Sequence, residues 1–244
     1  MKKELFIAIG DAVLKFCWCP PGKFIQATRG TSLFYKTGNE NVVVEFTSGF
    51  WISATPLTNA QWLSVLNTDY YEKLKEKPNY PIVSLCLSEV IDFLKKINEL
   101  NLLKHGLVFD LPNYLQSRYV CYARTSLDEK FYWQELGNDF GEYAWYAENS
   151  GLSIHEVGLK LPSVWGVYDA LGNVSEMSLD VQAMSGQSIL IDPVSTMLDA
   201  PYFFSAGGYY ASDYDECIEF ENEILEYENV NLQEWGMRLI IAEK

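Results

Sequence analysis

Five cysteines, Cys17, Cys19, Cys86, Cys121 and Cys217, and two histidines, His105 and His155, are the side chains of this sequence best suited to redox or metal chemistry. Their spacing offers little of it. No Cys-x-x-Cys pair exists, and Cys17 and Cys19, two apart on an expected strand, face one side as small core residues. Gly-x-Ser-x-Gly, Gly-x-x-x-x-Gly-Lys and Gly-x-Gly-x-x-Gly are all absent, which removes the common elbows and phosphate cradles. His155 sits in a polar loop after Gly151 and reads as a surface or hydrogen-bonded residue. His105 precedes Gly106 at an expected helix end, where exposed carbonyls favour a cationic side chain.

Two stretches carry more. The first is Ala144-Trp145-Tyr146-Ala147-Glu148-Asn149-Ser150-Gly151 followed by Val164-Trp165-Gly166-Val167-Tyr168-Asp169-Ala170-Leu171-Gly172-Asn173-Val174-Ser175-Glu176. Here aromatic anchors alternate with residues that tolerate positive φ, which builds a core from ordered loops rather than long helices. Gly172-Asn173 offers a turn, and Glu176 can fold back on the irregular backbone. The second stretch, Tyr209 to Glu228, mixes Tyr with Ser, Asp and Asn, the vocabulary of a binding surface. Its candidate ligand-binding residues are Tyr209, Tyr210, Asp213, Tyr214, Asp215 and Glu216. Acids dominate, so a partner carries Lys, Arg or another cation, with charge mainly raising the encounter rate. The alternative is a solvated acidic loop with tyrosines packed beneath it.

The totals bound what these stretches serve. With 244 residues, 48% of them hydrophobic, the chain has ample material for a core. Thirty-three acidic against 18 basic residues give a formal charge of -15, which repels phosphate backbones and argues against nucleic acid. Lys2-Lys3, Lys73 to Lys77 and Lys95-Lys96 are too scattered to reverse that. No apolar run approaches the roughly 18 residues that span a bilayer, so no membrane insertion is expected. Asp11 interrupts the apolar start, which reads as a first strand rather than a signal peptide. An odd cysteine set without such a signal favours reduced thiols and a cytoplasmic location. The Asn173-Val174-Ser175 sequon is then chance. No repeat or linker divides the chain, so one domain, 1–244, is expected.

The elements that position the two stretches follow from pattern. Strands are predicted at Phe16 to Ala27, broken at Pro20-Pro21-Gly22, and at Val42 to Phe46, Phe50 to Ser53, Phe203 to Ala206 and Met237 to Ala242. Thr58 is the N-cap candidate for a helix through Leu66. Ser88 to Ile97 reads as a helix with Val90, Phe93, Leu94 and Ile97 on one face. A third helix is expected over Tyr114 to Tyr122, after which regular structure thins out.

In order along the chain, Cys17-Trp18-Cys19-Pro20-Pro21-Gly22-Lys23-Phe24, Phe50-Trp51-Ile52 leading into Leu57 to Trp62, Pro81-Ile82-Val83, Leu111-Pro112, the central motif, Gly207-Gly208-Tyr209 and Gly236-Met237-Arg238-Leu239 resemble the formylglycine-generating enzyme (sulfatase-modifying factor) family. The resemblance implies an α+β, loop-rich variant of the C-type lectin fold. It also implies structural calcium on the carbonyls of Asp169, Gly172 and Val174 and the carboxylate of Glu176, a set of hard oxygen donors. The alternative is a Glu176 that accepts backbone N–H bonds without metal. A second calcium site of the family looks incomplete: Asn149 and Ser150 are in place, without a matched Asp.

Chemistry is where the sequence departs from the family. The active branch oxidises a substrate cysteine with copper held by two thiolates, and the matching positions are Ser212 and Cys217. A hydroxyl cannot replace a thiolate for cuprous copper, so copper is not expected and Cys217 reads as a core residue. A branch using iron on three histidines is out of reach with two. Ala206 and Ile218 stand where the family has arginines, Ser175 precedes Glu176 where a tryptophan is usual, and Asn113, Tyr114 and Ser117 replace threonine, glutamate and tryptophan. Three readings result. The leading one is a catalytically inactive, bacterial family member that binds a protein or peptide through its C-terminal face. The others are an oxidoreductase reusing the pocket with a different metal site, and a variable receptor protein of a diversity-generating retroelement.

Overall fold

The computed structural model describes residues 3–26, 42–66, 69–123, 131–179, 189–193, 202–219, 224–226 and 235–243. The expected first strand is β1 (Glu4–Ile9), which pairs antiparallel with β2 (Ala12–Cys19) around a two-residue turn. Gly10 supplies the positive φ, +52°, that such a turn requires. Pro20 and Pro21 end β2, and the chain changes sheets: β3 (Gly22–Gln26) pairs with β4 (Val42–Phe46), while β5 (Phe50–Ser53) returns to β2. Ala27, the last residue of the strand expected there, lies outside the described residues.

Thr58 caps α1 (Asn59–Leu63) as its position foretold. Its side chain accepts from the Gln61 N–H, and the Gln61 side chain accepts from the Thr58 N–H, closing a reciprocal box. The second helix, α2 (Leu87–Glu99), buries Val90, Phe93, Leu94 and Ile97, the face its periodicity marked. Trp62 lies flat on Phe93, with ring centres 4.7 Å apart. The helix stops at Glu99, so His105 stands beyond it, in the turn before β6 (Leu107–Asp110). The helix-end role expected for His105 is therefore corrected: Leu100 is the C-cap, and its own N–H closes the last turn.

The remaining helices are α3 (Tyr114–Tyr122), α4 (Tyr132–Leu136) and α5 (Tyr214–Glu219). The remaining strands are β7 (Ser175–Leu179), β8 (Ile189–Ile191), β9 (Tyr202–Ala206), β10 (Ile224–Glu226), β11 (Trp235–Met237) and β12 (Ile240–Glu243). They form a five-stranded sheet ordered β1-β2-β5-β12-β6, a four-stranded sheet β10-β9-β7-β11 and a three-stranded sheet β3-β4-β8. The single closing strand expected from Met237 to Ala242 is two strands in two sheets, parted at Arg238-Leu239. Arg238, at the break, is wholly buried.

Two buried clusters result. One packs α1 and α2 against the five-stranded sheet through Phe16, Trp62, Phe93, Ile97 and Leu239. The other gathers residues of β2 to β5, α3, α4 and the central loops, among them Phe24, Val44, Tyr119, Trp133, Phe140 and Trp165.

Candidate functional site

The central motif closes on Gly172 and Asn173. Gly172 has φ +70°, and a Cβ there would lie 2.1 Å from the Trp145 carbonyl oxygen, so no other residue fits. Asn173, also at positive φ, is fully buried. Its N–H donates to the Trp145 carbonyl at 2.8 Å, and its carbonyl accepts from the Tyr210 N–H at 3.1 Å. Its amide oxygen accepts from the His155 N–H at 3.0 Å while its amide NH2 donates to the His155 carbonyl. Through its backbone and its side chain together, Asn173 ties the segments of Trp145, His155 and Tyr210 to one another. Trp145 lies between the His155 ring, stacked at 3.8 Å, and the Lys160 ammonium, 3.9 Å from the indole centre. Two groups so close cannot share one face, so the indole is sandwiched. Burial lowers the Lys160 pKa, and Asp139, Asp169 and Glu142 oppose that shift.

Beneath this loop lies the ion pair of Arg238 and Glu176. Arg238 Nε reaches both carboxylate oxygens of Glu176, at 3.0 and 2.8 Å, and Nη2 reaches one of them at 2.6 Å. Nη1 donates to the Ser53 carbonyl, and Nη2 also donates to the carbonyls of Tyr168 and Asp169. Burial works against the guanidinium charge, and Glu176 more than offsets it, leaving the pKa raised. Asp169 accepts from the Gly158 N–H through Oδ2, at 2.6 Å, while Oδ1 is buried without a partner. Burial chiefly pushes its carboxyl up to about 6.

The calcium set expected at Asp169, Gly172, Val174 and Glu176 meets this geometry directly. The Glu176 carboxylate and the Asp169 carbonyl serve Arg238, and the Gly172 carbonyl accepts from the Val174 N–H at 2.8 Å. Two of the four expected donors, the Glu176 carboxylate and the Asp169 carbonyl, are thus hydrogen-bonded to Arg238, and Glu176 accepts from a guanidinium rather than from backbone N–H groups. At the family's second calcium position, Asn149 and Ser150 are committed to backbone. The Asn149 amide donates to the Gly141 and Ala144 carbonyls, and the Ser150 hydroxyl donates to the Tyr210 carbonyl. Among the described residues, no group of three His, Cys, Asp or Glu side chains is placed to hold a metal.

Ser212 and Cys217 do come together, under Gly208. A Cβ on Gly208 would lie 2.8 Å from the Cys217 sulfur and 3.3 Å from the Ser212 Cβ. Both residues are buried, and the Ser212 hydroxyl accepts from the Tyr209 N–H. Burial, with Glu216 and Asp213 adding to it, pushes the Cys217 thiol up to about 12.

The six C-terminal candidates divide into two roles. Asp213 and Glu216 form a reciprocal box at the start of α5: the Glu216 N–H donates to Asp213 Oδ1 at 2.8 Å and the Asp213 N–H to Glu216 Oε2 at 3.0 Å. Asp215 is exposed, Tyr209 and Tyr210 are half-buried and meet edge to face, and Tyr214 packs edge-on against Phe140. Ala147 donates its N–H to the Ser212 carbonyl, and the next residue, Glu148, is exposed. Glu148 accepts from the Tyr146 hydroxyl at 2.8 Å. Of the stretch Tyr209 to Glu228, residues 220–223 and 227–228 lie outside the described residues.

The other departures are structurally absorbed. Asn113 caps α3, Tyr114 packs on Phe204, and the Ser117 hydroxyl meets that of Ser178 at 2.7 Å. Arg118 of α3 donates to the Ile218 carbonyl. The buried role of Arg118 had no signal beyond a charge on an otherwise uncharged helix.

Sheets joined by a loop-rich, aromatic-anchored centre define a C-type lectin-like domain of the formylglycine-generating-enzyme kind. The chain belongs to that family: the model of the sulfatase-modifying factor enzyme 1-like domain matches residues 11–243. Among solved structures, Treponema denticola variable protein 1 is similar over 97% of this chain and 98% of its own, at 19% identity and a TM-score of 0.75. PvdO from Pseudomonas aeruginosa matches over the whole of both chains, at 15% identity and a TM-score of 0.68. CarF covers 95% of this chain and 99% of its own, at 13% identity and a TM-score of 0.59. Among curated protein sequences none matches. Likeness at these identities speaks to the fold.

Proposed function

We propose that this chain is a catalytically inactive member of the family that binds a protein or peptide carrying cationic groups through its acidic, Tyr-rich C-terminal face. The observation that carries the inactive reading is Ser212 beside Cys217: one sulfur stands where the copper chemistry needs two. The binding reading is supported by half-buried Tyr209 and Tyr210 and by exposed Asp215 and Glu148. Rigid aromatic area gives contact at low entropy cost, and the carboxylates supply steering. Because Asp213 and Glu216 cap α5, exposed Asp215 can meet a ligand without loss of structure.

Calorimetry with Lys/Arg-rich and Asp/Glu-rich peptides of equal length tests it. Binding of the cationic set alone, weakened by salt and by Asp215→Lys, is the expected result. Anaerobic titration with cuprous ion should give no one-to-one complex, and a cysteine peptide should draw no oxygen. A stoichiometric complex with turnover would overturn the inactive reading.

A second reading, a variable receptor of a diversity-generating retroelement, is favoured by the likeness to the Treponema variable protein. It requires a template repeat and a reverse transcriptase beside the gene; finding neither removes it.

A further inference from the structure

We propose that Arg238 is the resident cation of the 168–176 loop, taking the structural place that the family resemblance gives to calcium, so that the loop closes without a divalent metal. The loop has few ladder bonds of its own, and its carbonyls need a positive partner. Arg238 provides one from within the chain. Its planar fork reaches the Glu176 carboxylate and the carbonyls of Ser53, Tyr168 and Asp169, all between 2.6 and 3.2 Å. Those acceptors come from β5, from the loop and from β7, and Arg238 itself lies between β11 and β12. The guanidinium therefore joins the five-stranded sheet, the four-stranded sheet and the loop at one point.

A calcium ion on the expected set would compete with Arg238 for the Glu176 carboxylate and the Asp169 carbonyl. It takes six to eight oxygens at about 2.3–2.6 Å, usually with several carboxylates or waters among them. Here Arg238 and Asn173 are 0% exposed, Asp169 2% and Glu176 5%, which leaves no surface for a hydration shell. The single negative charge of Glu176 already balances one positive charge. Two more charges a few ångströms from a buried guanidinium would repel it in a medium where charges are weakly screened. Among the described buried side-chain acceptors of the loop, Asp169 Oδ1 is left without a partner, and a single oxygen makes no cage. A guanidinium fork also differs from an ion in kind: it is covalently attached, so its position is fixed when the last strands dock and does not depend on the medium.

The test uses the whole chain. Thermal melts of the wild type are compared in excess EGTA and in millimolar calcium chloride, and metal content is read by mass spectrometry after dialysis. The expected result is a difference in Tm below about 3 °C and less than a tenth of an equivalent of calcium retained. A larger calcium-dependent rise, as saturation of a tight site would give, or retention near one equivalent, overturns the proposal. Glu176→Gln supplies a second arm. Its Tm should fall by roughly 5 °C or more, and calcium should not restore it; restoration by calcium counts against Arg238 as the resident cation. If the variant does not fold, the wild-type melts and metal content decide alone.

Discussion

The α2 face against the five-stranded sheet and the 144–176 segment both bury large aromatic residues, but they hold them by different means. Around Trp62 and Phe93 the backbone is satisfied by helix and ladder bonds, and the side chains need only be apolar and of the right size. Around Trp145 and Asn173 the backbone is satisfied by particular side chains, and the turns stand at positive φ. The first region tolerates change by volume. The second tolerates almost none, because each polar residue there completes another's hydrogen bond.

The sharpest way to break this contrast is one substitution made in both regions. Gly172→Ala should leave no folded protein by circular dichroism, since its Cβ would enter the Trp145 carbonyl. Gly106→Ala, at φ +88° in the turn before β6 with nothing within 4 Å, should cost about 1 kcal/mol in urea unfolding. Similar losses at the two sites would end the distinction.

A smaller effect is expected at Asp169. Its carboxyl is held near 6, above the ordinary 3.8, so the folded state binds its proton more tightly than the unfolded state does. Stability from this group is therefore full below the unfolded value and is lost as pH rises through about 6. Asp169→Asn keeps an acceptor for the Gly158 N–H and removes the titration. The variant should gain about 2 kcal/mol on the wild type between pH 4 and pH 7.5. A pH-independent difference would show that Asp169 stays charged.

The mildest test concerns the thiols. Cys86 is exposed, whereas Cys17, Cys19, Cys121 and Cys217 are buried. Native protein should take up iodoacetamide at Cys86 alone, with no change in Tm, since Cys217 remains a protonated thiol below about pH 12. Modification at Cys217 under native conditions would mean that the face above it opens.

Legibility followed the same division. The α2 face, the Thr58 cap and the strands Val42–Phe46 and Phe50–Ser53 could be read from periodicity and turn residues, because local pattern dictates them. So could the aromatic, turn-rich centre, although not its partners. The pairing of Glu176 with Arg238 spans 62 residues and leaves no local trace. One signal was available: an arginine set between Gly236-Met237 and Leu239-Ile240 is a charge in an apolar run, and it demands a buried acid. Asp213 and Glu216 carried a similar hint, because their spacing is that of a helix-start box.

The division of residues 235–243 between two sheets bears on how the chain assembles. β12 lies between β5 and β6, and Arg238 reaches the Ser53 carbonyl across 185 residues. During synthesis β5 therefore waits with one edge unpaired until nearly 190 more residues have emerged. An unfilled sheet slot of that duration invites capture by another chain, so chaperone dependence should concentrate on nascent molecules rather than on finished ones.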